Sequence, residues 1–580
     1  MATGKPVKIV LVAATAASAI LSAAAKFPNP ADFNPTWESA KPGTSYSTDL
    51  PTGALLGNGS LGAVNGGDRN HKKFVLTRGD LWSCGDFTYG KKEHNIGPIS
   101  FADLIVAPGL KAVSSTDTLD LPTATLVTEG KFGKGKVRLE SYVAADEDLL
   151  VISGVSDVDD TWILRIVAHN QKKSFPVEAG VSDDGFWVKR STLNLLPKDD
   201  PRGWTTNATA AVSALGAELS ALSITNGIEA RANASIHANK PFAFVVSTNP
   251  ARRFTWEELV QIKAAHVAWW KEWWNRSRVT TGDAELDRFY HGQVYLLGAG
   301  VRSGKFPPGL YGIWVTRDDP KWHNDFHLNY NYVSTYYGCF AANRCEVADT
   351  MPVNGKNVRM YTSTETNVKW PTNPGGGIIF LENVIPGENY AFDITDETRM
   401  LATNGINGVI ATCSPKRVCG NINQTPKLYS IAARVGYPAA AVIDMFKKYQ
   451  LHPLMQKNFH LHDNVHGMEK LGAMEFIQSM LIQCDHGIVK VFPNWTGADA
   501  KFENLRAKGC FLVSAEMKDG KVVRVEVKSE KGGRFRLVDP RQQAYNSKLP
   551  TGWARGKTRN SGEATLEREF KPGETVVLNP

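Results

Sequence analysis

Thr255-Trp256-Glu257-Glu258-Leu259-Val260-Gln261-Ile262-Lys263-Ala264-Ala265-His266-Val267-Ala268-Trp269-Trp270-Lys271-Glu272-Trp273-Trp274-Asn275-Arg276-Ser277 is the stretch at which the chain changes period. Leu259, Ile262, Lys263, His266, Trp269, Trp270, Trp273 and Trp274 recur at helical spacing, and Thr255 with Glu258 three residues later has the form of a capping box. The aromatic stripe on such a helix reads as packing between domains rather than as a ligand box. The chain before this helix is expected to be β structure, and much of the chain after it helical.

Upstream, from Thr118 to about Thr248, apolar and polar residues alternate in short runs. Examples are Val137-Arg138-Leu139-Glu140-Ser141-Tyr142-Val143 and Phe242-Ala243-Phe244-Val245-Val246. Bounded by Gly, Asp and Asn turns, these runs predict an antiparallel sandwich rather than an α/β sheet. Nearer the N-terminus, Leu55-Leu56-Gly57-Asn58-Gly59-Ser60-Leu61-Gly62-Ala63 is dense in glycine, which predicts tight turns between short strands.

Downstream, Leu286 to Gly300 predicts a helix; after it come Pro307-Pro308-Gly309-Leu310-Tyr311-Gly312-Ile313-Trp314 and Asp325-Phe326-His327-Leu328-Asn329-Tyr330-Asn331-Tyr332. Rings, amides, a His and an Asp crowd these segments, without the aliphatic periodicity of a core element. Trp and Tyr faces pack against the C–H faces of a sugar ring, while Asn, Asp and His supply oriented donors and acceptors for hydroxyls. A carbohydrate site is the first expectation.

Gly312-Ile313-Trp314, Trp322 and Asp325-Phe326-His327-Leu328-Asn329-Tyr330-Asn331 resemble the central motif of glycoside hydrolase family 95, the inverting α-L-fucosidases and their relatives. The Gly57-Asn58-Gly59 turn, Leu81-Trp82, the His266-to-Ser277 aromatic pattern, and Phe502 to Glu516 resemble other motifs of that family. The resemblance implies a multidomain α and β chain. After a signal peptide over 1–25, its parts would be an N-terminal antiparallel β-sandwich over 26–250, linker helices over 251–284, a helical (α/α)6-type catalytic domain over 285–500, and a small C-terminal β domain over 501–580. Twelve barrel helices of ~11–12 residues with their loops need more than roughly 250 residues. The helical sequence between Leu286 and Trp495 falls short of that, so the barrel is expected to be incomplete, with the deficit after Asp349.

Inverting hydrolysis needs an acid for the leaving oxygen and a base for the water on the opposite face. In the resembled family the water is held by an Asn carbonyl, helped by a second Asn and by a carboxylate. The corresponding residues here are Asn329 and Asn331, with Glu469 as the supporting carboxylate and Asp463 as the alternative. The family's Thr-Ser-Pro-Glu-Asn is absent. Thr362-Ser363-Thr364-Glu365-Thr366-Asn367 is the nearest echo and makes Glu365 the candidate acid. Trp314, Trp322, Asp325 and His327 are the candidate sugar contacts.

The function expected is an exported glycoside hydrolase that removes a terminal α-L-fucose or α-L-galactose from an oligosaccharide or polysaccharide. The alternative is a non-catalytic carbohydrate-binding relative that lost its general acid. No cofactor and no metal are expected. His460, His462, Asp463 and His466 could suggest a metal site, but no second ligand cluster of matching strength accompanies them.

In 580 residues, 42% hydrophobic and 21% charged, a net charge of +8 is dispersed without a Lys/Arg block, which argues against a nucleic-acid partner. Lys5, Lys8, a short apolar run and Ser22-Ala23-Ala24-Ala25 form a secretory leader, too short for a membrane span, so the mature chain is expected to be secreted or periplasmic with no membrane segment. Seven cysteines leave at least one unpaired within the chain, while the five-residue spacing of Cys339/Cys345 and Cys413/Cys419 suits local disulfides. Asn58, Asn207, Asn233, Asn275, Asn423 and Asn494 lie in glycosylation sequons.

Overall fold

The computed structural model describes residues 26–38, 51–83 except 69, 97–170, 175–350 except 183, 195–197, 200–203, 319, 321–323 and 325–329, and 425–580 except 463–466, 486, 496, 498, 542–547 and 559–561. The leader, Glu365, Cys413 and Cys419 lie outside the described residues.

The alternating runs become two antiparallel sheets. The nine-stranded sheet has the order Thr36–Glu38, Ala112–Asp120, Thr125–Phe132, Gly135–Val143, Leu150–Ser156, Pro241–Ser247, Asn207–Leu215, Gly185–Ser191, Val177–Ser182. The seven-stranded sheet contains Asp160–Ala168, Ala102–Ala107, Lys72–Arg78, Leu61–Gly67 and Leu55–Gly57. Period-two alternation puts one set of side chains between the sheets. Trp162, fully buried on one, meets Phe242 of the other edge to face at 5.1 Å. Burying such a ring stabilises the sandwich by roughly 2–3 kcal/mol.

Helix α1, Trp256–Asn275, starts as its capping box predicts: Glu258 N–H donates to Thr255 Oγ1 at 3.2 Å, and Thr255 N–H donates to Glu258 Oε2 at 2.9 Å. Its stripe is packing. Trp270 stacks on Tyr295 at 5.3 Å, Trp273 Nε1–H donates to Val294 O at 3.1 Å, and Trp274 Nε1–H donates to Leu121 O at 3.1 Å. Arg302 lies 3.5 Å over the Trp269 ring, a cation–π contact that orders the outer ring of the stripe. The helix thereby bonds the sandwich on one side and helix α2, Ala284–Gly300, on the other.

The glycine-dense turn explains how the halves dock. Gly57 and Gly59 lie against the end of α2: a Cβ on Gly57 would stand 2.6 Å from Ala299 O, and Gly59, at φ +80, donates its N–H to the same oxygen at 2.9 Å. Asn58 is fully buried, with both ends of its amide bonded to Ser60 N, Leu61 N, Ala144 O and Glu147 O. The folded chain therefore leaves no room for a glycan on its amide.

The helical part continues with α3 (Tyr330–Ser334), α4 (Thr425–Arg434), α5 (Ala439–Phe446) and α6 (Met474–Leu481). The apolar spacing from Glu469 to Gln483 suits one continuous helix, but the helix that forms is shorter. Met468–Ala473 forms a 3-10 turn ahead of α6, and Ile482–Asp485 is already a strand. The C-terminal β structure likewise reaches beyond 501–580. Its two five-stranded sheets take in Arg278–Thr280 on one side and Ile482–Asp485 with Ile488–Val491 on the other. Lys518-Asp519-Gly520-Lys521, with the Asp-Gly pair that favours a tight hairpin, forms one here, with positive φ at both central residues as a type I′ turn requires.

Cys339 and Cys345 are free thiols, which corrects the expected local disulfide. Cys339 is buried, and Cys345 Sγ is directed instead to Phe340 O at 3.9 Å. Among the described residues no helix is long and apolar enough to cross a membrane.

Candidate active site

The site is built where the motif loop meets the 3-10 turn ahead of α6. Gly312 closes a tight turn onto Gly309, its N–H donating to Gly309 O at 3.0 Å with φ at +70. A Cβ there would stand 3.1 Å from both Met468 Sδ and Trp314, so glycine lets the loop and the turn touch. Met468 N–H donates to Leu310 O at 2.9 Å, and Asn324 Oδ1 accepts Tyr311 N–H at 2.5 Å. The loop is thus fixed to Met468–Ala473 at one point and to its own continuation at another.

That turn is buried throughout and includes Glu469, 0% exposed, and Lys470, 1% exposed. Helix α3, which carries the buried Asn331, packs directly on it, with Tyr332 and Tyr336 in ring contact at 5.6 Å. The structure therefore brings together the elements bearing Asn331 and Glu469, which are far apart in sequence. A carboxylate in a water-poor setting acts strongly on neighbouring dipoles, because little solvent screens it.

Other predicted residues fall differently. Trp314 is fully buried: its Nε1–H donates to Leu56 O at 2.9 Å, and its ring meets His460 edge to face at 5.9 Å. In this position Trp314 wedges the sandwich against the helical part and presents no face to a sugar. Asn329, Trp322, Asp325, His327 and Asp463 lie outside the described residues, as do Glu365 and His466.

Sequence reading missed several groups. Asp318, just beyond the motif, is fully buried and clasped by Arg190 of the sandwich. Nη1 and Nη2 each stand 2.6 Å from one carboxylate oxygen, and Ser100 Oγ–H adds a bond at 2.7 Å. The acidic run Asp318-Asp319 was the available signal; nothing in the sequence singled out Arg190. Glu475 of α6 is buried beside Arg434 of α4 at 3.1 Å, and burial raises its carboxyl pKa despite that guanidinium. His460 is buried, and among the described residues neither of its ring nitrogens has a hydrogen-bond partner. Desolvation, with His462 and Lys470 nearby, pushes its pKa down to about 3, so the ring is neutral. Among the described residues no cluster of three or more metal-ligating side chains occurs.

Residues 260–373 match the sequence profile of the glycosyl hydrolase family 95 catalytic domain. This segment is similar to the family 95 catalytic domain. It runs from α1 through the motif loop and Asn331 and stops short of Glu469. No curated protein matches the chain. Among solved structures, a protein described as a kojibiose phosphorylase from the human microbiome aligns over 95% of this chain and 99% of its own, at 10% identity and a TM-score of 0.51. That likeness concerns the fold alone. A family GH92 α-mannosidase from Bacteroides thetaiotaomicron (8% identity, 82% and 87% coverage, TM-score 0.31) and a bacterial glucoamylase (9%, 73% and 70%, 0.29) align more loosely. The family 95 match supports a glycoside hydrolase with a carbohydrate substrate.

Proposed function

We propose that the chain is an exported, inverting glycoside hydrolase that removes terminal α-L-fucose or α-L-galactose from a glycan, working in an incomplete (α/α)6-type barrel. The observation that carries this reading is the buried turn with Glu469 packed on the helix of Asn331 and bonded to the motif loop through Met468. Asn329 holds the attacking water through its side-chain carbonyl and Asn331 assists. Glu469 polarises the amides so that the carbonyl side of Asn329 accepts the water's proton as the water oxygen bonds to the anomeric carbon and the glycosidic C–O bond breaks. Asp463 is the alternative for that role. Glu365 protonates the departing glycosidic oxygen from the opposite face, and Trp322, Asp325 and His327 contact the sugar. The leader over 1–25 directs the chain to the exterior or periplasm.

The test is release of 4-nitrophenol from the 4-nitrophenyl α-L-fucoside and α-L-galactoside by the purified chain and by Asn329→Ala, Glu469→Gln and Glu365→Gln. Removing a group that acts on the transferred proton costs on the order of 10²–10⁴-fold in kcat. A folded chain that binds fucose without turnover, unchanged by Glu365→Gln, would make it the binding relative instead.

A further inference from the structure

Away from the motif loop, the nine-stranded sheet and α1 border a half-open cleft of about 490 Å³, within the range of small-ligand sites. Its floor is a regular grid. Thr116, Glu129 and Arg138 stand opposite one another on three adjacent strands, and the next row is Thr118, Val127 and Glu140. Adjacent strands are about 4.8 Å apart, and residues two apart along a strand are about 6.7 Å apart. Polar groups therefore repeat on the scale of a pyranose ring, with the methyls of the threonines and Val127 between them.

The polar groups on this exposed face pair with one another. Arg138 bridges Glu129 at 3.2 Å and Glu140 at 3.0 Å. Lys263 reaches down from α1, donates to Thr125 Oγ1 at 2.8 Å, and stands 4.3 Å over the Tyr142 ring. The far end is closed by Asn34, which donates to Asp120 at 3.2 Å. Three carboxylates face two cations, so the lining repels strongly anionic ligands and offers no concentrated charge to a cation. It offers instead acceptors, hydroxyls and a fixed ammonium around small apolar patches, the complement of a neutral polyhydroxylated ring.

We propose that this cleft is a second carbohydrate-binding site, taking a neutral hexose or deoxyhexose unit of a glycan. It depends on the hydrolase reading only for the choice of probe.

The probe is 2'-fucosyllactose, titrated calorimetrically into the full chain carrying Glu469→Gln, with and without Thr116→Val/Thr118→Val, and separately with Lys263→Met. Both changes keep side-chain bulk, and valine suits a strand. Two classes of site are expected, one of them weakened at least about tenfold by either change. With Glu469 intact, the same changes should leave hydrolysis of 4-nitrophenyl α-L-fucoside unaltered. An isotherm the cleft variants do not alter, or no binding, overturns the proposal whether or not the chain hydrolyses the fucoside. Binding lost in the cleft variants of a chain without hydrolysis upholds the cleft and fails the hydrolase reading instead.

Discussion

Helix α1 and the turn Met468–Ala473 are both buried between layers, yet they are built from opposite materials. The helix buries Leu259, His266, Trp270 and Trp273, whereas the turn buries Glu469 and Lys470 within six residues. Ring burial is favourable wherever it occurs, and a periodic stripe is enough to specify it. Burying two charged side chains costs free energy unless the surroundings are arranged around them. The difference teaches where to look for chemistry: the helix is explained by packing, and the turn is not.

The Arg190–Asp318 clasp tests that contrast most severely, because it is a buried charge pair whose role is docking. Arg190→Met would leave the buried Asp318 without its guanidinium and should destabilise the chain by about 3–5 kcal/mol, read from urea unfolding. An exposed pair such as Arg138–Glu129 should give about 0–1 kcal/mol in the same assay. Equal losses would mean that the clasp contributes no more than a surface pair. Next in size is Gly57→Ala, whose added methyl meets Ala299 O and should cost about 1–3 kcal/mol.

Protonation gives the two regions a property in common, since each has a buried neutral imidazole nearby. His266 on α1, whose Nε2–H donates to Thr123 O at 2.7 Å, is pushed down to about 3 by desolvation and by Lys263. His460, beside Trp314, is lowered to about 3 as well. In the unfolded chain both protonate near the ordinary value of about 6.5. The unfolded state therefore takes up protons first as pH falls, so stability present above pH 6.5 is lost from there down toward pH 3. By pH 5.5 each ring should have removed about 1.4 kcal/mol. His460→Phe should flatten its share of that slope, because an apolar ring brings no titratable nitrogen against Trp314. A slope identical in wild type and variant would show that His460 titrates normally.

The sandwich, α1 and the Asp519-Gly520 hairpin are legible in the sequence because each rests on local periodicity or turn chemistry that neighbouring residues carry. The Gly309 to Trp314 part of the motif stands out by its composition and its family resemblance, while Trp322 and Asp325 to Asn329 lie outside the described residues. The role of Trp314 is not legible, because an indole that binds sugar and one that wedges two domains look alike in sequence; only the acceptor at Leu56 O distinguishes them. Arg190 and Asp318 meet from positions 128 residues apart, and no local pattern encodes such a pair. The apolar spacing around Glu469 suits a helix as well as the 3-10 turn that forms there. Gly472 and the buried charges mark a place where tertiary packing overrides propensity.

A smaller effect than these concerns the residue that opens α1. Thr255→Ala removes the acceptor of Glu258 N–H and half of the reciprocal box, with an expected loss of about 1 kcal/mol, whereas Thr255→Ser should keep nearly all of it. The helix is fixed at its other end by Arg344, which donates to Trp273 O at 2.5 Å and to Ser277 Oγ at 2.7 Å. Fraying at the first turn should therefore not reach the aromatic stripe. Hydrogen exchange should speed up at Glu258 and Leu259, whose N–H groups are bonded to Thr255, and stay slow at Trp270 and Trp273. If protection fell along the whole helix, α1 would be held by its cap more than by its rings, and its contrast with the Glu469 turn as an element explained by packing would fail.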